Sequence, residues 1–119
     1  MAAQNKKKPS EPPAVPSEIA IFDEGDFYAF REANTSKTIY VYDRDTDGKS
    51  HCDAACAETW HPVVAPVNAM PVGDWIPIVR NVLSKQWAYK GKPLYTNAND
   101  AAEETRGDGV DGAWHIFKP

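Results

Sequence analysis

Tyr40-Val41-Tyr42-Asp43-Arg44-Asp45, with Trp60-His61 twenty residues past Tyr40, sets a pattern that this 119-residue chain writes twice. Tyr95-Thr96-Asn97 leads in the same way to Asp100, and Trp114-His115 lies 19 residues past Tyr95. The shared frame is a strand, an aspartate-ended turn, a short helix or loop, and then Trp-His. A near-constant period of about 54 residues points to duplication of one supersecondary unit. Either half alone has too little apolar material for a core. The halves, 38–62 and 93–117, are therefore expected to pack face to face or to share one sheet. Tyr40, Tyr95, Trp60, Trp114 and Trp87 are the expected core aromatics, each able to bury on the order of 150–250 Å².

Outward from this frame the pattern stays β-rich. Ile19–Phe22, Phe27–Phe30, Thr38–Tyr42, Trp75–Val79, Gln86–Tyr89 and Ala113–Phe117 are short runs of β-branched and aromatic residues, the composition of strands. Residues 32–36 should turn the second run back onto the third. Lys90-Gly91-Lys92-Pro93 reads as a tight reversal with Pro93 at a strand edge or start. Ser50 with Asp53 three residues on resembles a capping box, so 54–60 is expected to be helical until Pro62 ends it. Residues 99–105 read as a second short helix, and the three prolines of 62–72 as a surface loop. The expected fold is mostly β: a small antiparallel domain from two related halves of about 50 residues, with one or two short helices.

Residues 1–17 differ from the rest. Lys6-Lys7-Lys8-Pro9 and Pro12, Pro13 and Pro16 offer no periodic apolar face, so this stretch is expected to be a disordered or polyproline-like tether to a single body over 18–119. From Glu18 onward 10 basic residues face 16 acidic ones, which argues against nucleic acid as a partner. No apolar run approaches the ~20 residues of a membrane span. Met1-Ala2-Ala3-Gln4 lacks the apolar stretch of a signal peptide and is compatible with a start placed on a mature end.

Several motifs together carry a family resemblance. Tyr40-Val-Tyr-x-x-Asp45, Cys52-x-x-x-Cys56-Ala57-x-x-Trp60, the run from Gln86 to Tyr95, Gly107-Asp108-Gly109-Val110 and Trp114-His115 occur in the order found in the bacterial lipoproteins described as a secreted repeat of unknown function, which this chain resembles from about Phe27 to its end. The resemblance implies an extracytoplasmic protein, periplasmic or secreted and often lipid-anchored, built from paired repeats and without a settled activity. Three departures stand out: Trp60-His61-Pro62 where the family usually has Trp-Pro-Pro, Asn97 where an aromatic is expected, and no lipid-attachment cysteine near the N-terminus.

His51, Cys52, Cys56 and His61 form the densest cluster of metal-ligating or redox-active groups. On a helix, residues four apart share a face about 6 Å apart, so Cys52 and Cys56 fit a disulfide staple, the default outside the cytoplasm. Two thiolates with His51, His61 or the distant His115 would instead suit copper(I) or zinc. A thiol–disulfide enzyme would need Cys52 as a low-pKa thiolate at the helix start. Asp43, Asp45 and Asp47 with Gly48 match the first half of a calcium loop, but Ala54 stands where its glutamate belongs; an aspartate-rich turn is the plainer reading. No serine–histidine–aspartate set or glutamate pair stands out. These features point to a non-enzymatic extracytoplasmic binding or structural module whose partner is an unknown envelope component, tethered to a membrane in its precursor. The alternative is a periplasmic copper-binding or electron-transfer accessory.

Overall fold

The central sheet of the computed structural model, which describes residues 8–119, is built from the two copies of the repeat. β1 (Ile19–Asp23) and β2 (Tyr28–Glu32) pair as a hairpin from Ile19↔Glu32 to Asp23↔Tyr28. β3 (Tyr40–Tyr42) is followed by the short helix α1 (Ala55–Thr59) and β4 (Trp60–Pro62). β5 (Val64–Ala65), β6 (Trp75–Asn81), β7 (Ser84–Tyr89) and β8 (Lys92–Pro93) come next. β9 (Tyr95–Asn97), a 3-10 turn (Val110–Gly112) and β10 (Trp114–Ile116) complete the chain.

The repeat strands form one antiparallel sheet in the order β10-β3-β9-β4. β3 and β9 meet at Tyr40↔Tyr95. β10 flanks β3 with Trp114↔Tyr42, and β4 flanks β9 with Trp60↔Asn97. The backbone bonds around them match as well: Asp43 N–H donates to the Ala113 carbonyl as Ala98 N–H donates to Thr59, and Phe117 N–H donates to Ile39 as Val63 N–H donates to Leu94. The two copies thus share a sheet through a pseudo-two-fold axis at Tyr40 and Tyr95.

Because successive strand residues face opposite sides, this sheet is covered on both. Ile39 and Leu94 enter an aliphatic and aromatic core with Ile19, Phe30, Trp75 and Trp87, reached also by Val63 and Phe117. Tyr40 and Tyr95 enter a second core with Cys52, Trp60, Ala113 and Trp114. The four-stranded sheet β5-β7-β6, with β8 also paired to β7, closes the first core. Lys90 and Gly91, at φ 48° and 84°, make the tight reversal from β7 to β8, and buried Pro93 stands in the two-residue β8.

Four expectations change. Residues 32–36 do turn, with Ser36 N–H on the Glu32 carbonyl, yet the second and third runs share only the bridge Arg31↔Thr38; β3 leaves for the repeat sheet instead. The helix is shorter than 54–60, since Trp60 is extended and pairs with β9. Residues 62–72 are not all loop, because an edge strand such as β4 tolerates Pro62 and β5 follows it. Residues 99–105 form turns, and the second helical element lies at Val110–Gly112. No helix among the described residues is long and apolar enough to cross a membrane.

Candidate functional site

The side chains that define the repeat cross its axis. Tyr40 Oη donates to Asp100 Oδ2 at 2.6 Å, and Tyr95 Oη donates to Asp45 Oδ2 at 2.6 Å. Each tyrosine therefore serves the aspartate of the other half. The second carboxylate oxygens do matching work: Asp45 Oδ1 accepts His51 N–H at 2.6 Å and Asp100 Oδ1 accepts Arg106 N–H at 2.9 Å, both six residues on. Each carboxylate thus pins its own loop and the opposite strand together. Burial, followed by the bond to aspartate, pushes both tyrosine hydroxyls well above their ordinary pKa. Burial also raises Asp45, although its bonds from Tyr95 and His51 oppose that shift.

Trp60 and Trp114 lie between these pairs, parallel within 1° and with centroids 3.7 Å apart. So small a separation leaves little of the offset that aromatic pairs prefer. Edge contacts support the stack: Tyr40 meets Trp60 at 5.2 Å and 82°, and Tyr95 meets Trp114 at 5.1 Å and 86°. Tyr42 stacks on the outer face of Trp114 at 4.1 Å. At Trp60 that place belongs to Asn97 and Gly107, where a Cβ on the glycine would come within 2.6 Å of Trp60 Cη2 and 3.1 Å of Asn97 Nδ2. The departure at Asn97 therefore has a packing reason, and Asn97 Oδ1 also closes a turn by accepting Asn99 N–H.

Cys52 and Cys56 form a disulfide with Cα atoms 5.2 Å apart. Cys52 is fully buried. Ser50 does not cap α1, whose N-cap is Ala54 at φ 51° without a side-chain bond. Its hydroxyl instead meets Tyr95 Oη at 2.6 Å and accepts from Arg80 Nη1 at 2.9 Å. Arg80 also donates to the Cys52 carbonyl at 2.9 Å and to Gln86 Oε1 at 2.8 Å. Arg80 has no part in any motif of the sequence, where a lone cation after Ile78-Val79 in an apolar strand is the available signal. Gly107 belongs to the Gly107-Asp108-Gly109-Val110 motif, but its place against Trp60 is not legible there.

The histidines go separate ways. His51 Nε2 pairs with Thr46 Oγ1 at 2.9 Å, His61 Nε2 lies 3.2 Å from the Glu58 carbonyl, and His115 Nε2 lies 2.7 Å from Asp43 Oδ2. Asp47 sits against Gly91, so Asp43, Asp45 and Asp47 point to three different partners in an aspartate-rich turn closed by Thr46 and Lys49. Among the described residues, no three histidine, cysteine, aspartate or glutamate side chains gather as a metal cluster. Every buried side-chain nitrogen and oxygen among them has a hydrogen-bond partner. The arrangement can hold two loops rigidly against one sheet, and it presents no unpartnered buried group to a substrate.

A family model described as a secreted repeat of unknown function matches residues 33–64 and again 78–118. The two matches fall on the two halves of the pseudo-symmetric sheet, and the description supports a location outside the cytoplasm. Neither curated proteins nor solved structures give a match.

Proposed function

The chain belongs to the family of secreted repeats of unknown function, and from that premise we propose that it is a non-enzymatic binding or structural module of the bacterial cell envelope. Its body spans 18–119 and is preceded by the lysine- and proline-rich segment 1–17, of which 1–7 lie outside the described residues, with a membrane attachment in the precursor. One observation carries this reading: Tyr40, Asp45, Tyr95, Asp100, Trp60 and Trp114 are consumed in holding the two repeats together. A family pattern spent on architecture describes a scaffold, and function then lives on surfaces that vary around it. The copper-handling alternative, through Cys52 and Cys56 with His51 or His61, requires the disulfide to open and the buried Cys52 to move.

Fractionation of the native cells with a thiol count on the recovered protein tests both. The module predicts an extracytoplasmic protein with no reactive thiol. A cytoplasmic protein carrying two free thiols contradicts it. Sub-nanomolar copper(I) binding by the reduced protein, lost in both Cys52→Ser and His61→Ala, would transfer support to the alternative.

A further inference from the structure

The turn of the hairpin β1–β2 carries an exposed aromatic, Phe27, that the repeat architecture does not use. Phe27 is 54% exposed beside Tyr28, and with Phe30, Ile116 and Phe117 these residues line a groove of about 940 Å³. That volume lies within the range of ligand sites, which are mainly apolar with a few placed polar groups. One wall of the groove is made by the chain's own proline-rich segment, through Lys8, Pro9, Glu11 and Pro13.

The contacts of this segment are specific. Tyr28 Oη donates to the Pro9 carbonyl at 2.6 Å. The Lys8 ammonium stands 4.5 Å from the centre of the Tyr28 ring and pairs with the Asp23 carboxylate. A hydroxyl on a proline carbonyl, a ring beneath the flanking lysine and an acid on that cation are means by which an aromatic surface can hold a polyproline-type chain, whose carbonyls have no internal bonds. Lys8-Pro9-Ser10-Glu11-Pro12-Pro13 has the composition for that conformation.

We propose that the Tyr28 and Asp23 face beside this groove is a recognition site for a lysine-led, proline-rich segment, with the chain's own Lys8–Pro13 as its resident occupant. The inference deepens the reading as a binding module by giving it a ligand class. The volume left open beside the segment lets a second segment of the same chemistry enter before the first departs. A resident segment also competes with any such partner at the high effective concentration of a short tether.

Nuclear magnetic resonance on the full-length chain tests this with a synthetic peptide of residues 8–14. Nuclear Overhauser contacts between the Tyr28 ring and Pro9 are expected in the free protein. Added peptide should shift Phe27, Tyr28 and Phe30, and should bind severalfold more tightly to a Lys8→Ala/Pro9→Ala variant, whose own segment no longer competes. Tyr28→Phe in that background keeps the ring and should weaken the peptide about fivefold, the size of one neutral hydrogen bond. A peptide with all prolines replaced by alanine should not bind. Unmoved groove resonances in the Lys8→Ala/Pro9→Ala variant, or equal binding of the alanine peptide, would overturn the proposal. Cell fractionation and thiol counts do not depend on this groove, so its failure leaves the envelope-module reading intact, and a cytoplasmic location would leave the groove intact.

Discussion

Between Asp45 and Trp60 the first repeat is closed by the Cys52–Cys56 bridge and α1, whereas between Asp100 and Trp114 the second runs through turns in which Gly109 and Gly112 take φ 85° and 66°. Cys52 and Gly107 occupy matching places, one residue beyond the N–H that each aspartate accepts. The first copy constrains its loop with a covalent bond, and the second with backbone conformations that only glycine adopts freely. Both deliver the same items to the axis: a backbone donor for the aspartate, a tyrosine for the opposite aspartate, and a tryptophan for the stack. What the duplication retains is the interface; the loop that supports it is free to differ.

The equivalence of the tryptophans makes the largest prediction. Trp60→Ala and Trp114→Ala should each cost about 3–5 kcal/mol in denaturant unfolding, as expected for a buried aromatic. A mild loss in one and a severe loss in the other would break the symmetry. The disulfide should separate the halves instead. It closes a loop between residues four apart, so loop entropy assigns Cys52→Ser/Cys56→Ser a loss of only about 2 kcal/mol. Amide exchange should then rise across residues 50–59 and stay unchanged across 100–113.

Alkali should act on both halves alike. Burial and the bonds to aspartate raise the folded pKa values of Tyr40 and Tyr95 above the ordinary tyrosine value of 10.0. The folded state therefore holds their protons where the unfolded chain releases them, so their stabilisation is complete below pH 10 and is lost as pH rises through the folded values. Stability should fall by about 1.4 kcal/mol per pH unit for each tyrosine in that window. Tyr40→Phe should remove about half of the slope, as should Tyr95→Phe. The smallest effect belongs to a side-chain pair without a counterpart in the other half: His115 meets Asp43, but in the second copy Ala98 takes the place of Asp43. With side chains 46% and 56% exposed, that pair should contribute under about 1 kcal/mol, read as the stability change in His115→Ala.

The duplication was legible because Trp-His after Tyr and Asp at nearly one period is hard to produce by chance; the small core of each half required the halves to pack together but left face-to-face packing and a shared sheet both open. The strands β1, β2, β6, β7 and β10 were visible in their β-branched and aromatic runs. β4 and β5 were not, because alanines up to Trp60 read as helix and Pro62 as a break, while the pairing with β9 overrides local propensity. The crossing of the tyrosines was hidden as well: period and spacing show that Tyr40 and Asp45 belong to one motif, but not that the hydroxyl reaches Asp100. Arg80 reaches Ser50 and the Cys52 carbonyl, and Gly107 meets Trp60, across distances in sequence that no local pattern encodes.

A double-mutant cycle on Tyr40 tests the exchange across the axis most directly. Tyr40→Phe and Asp100→Asn, measured singly and together by denaturant unfolding, should show a coupling of about 1.5–3 kcal/mol, the range for a hydrogen bond to a charged group. Tyr40→Phe with Asp45→Asn, its partner in sequence but not in space, should be additive within about 0.5 kcal/mol. Coupling of Tyr40 to Asp45, with additivity toward Asp100, would contradict the crossed interface on which the account of the two repeats rests.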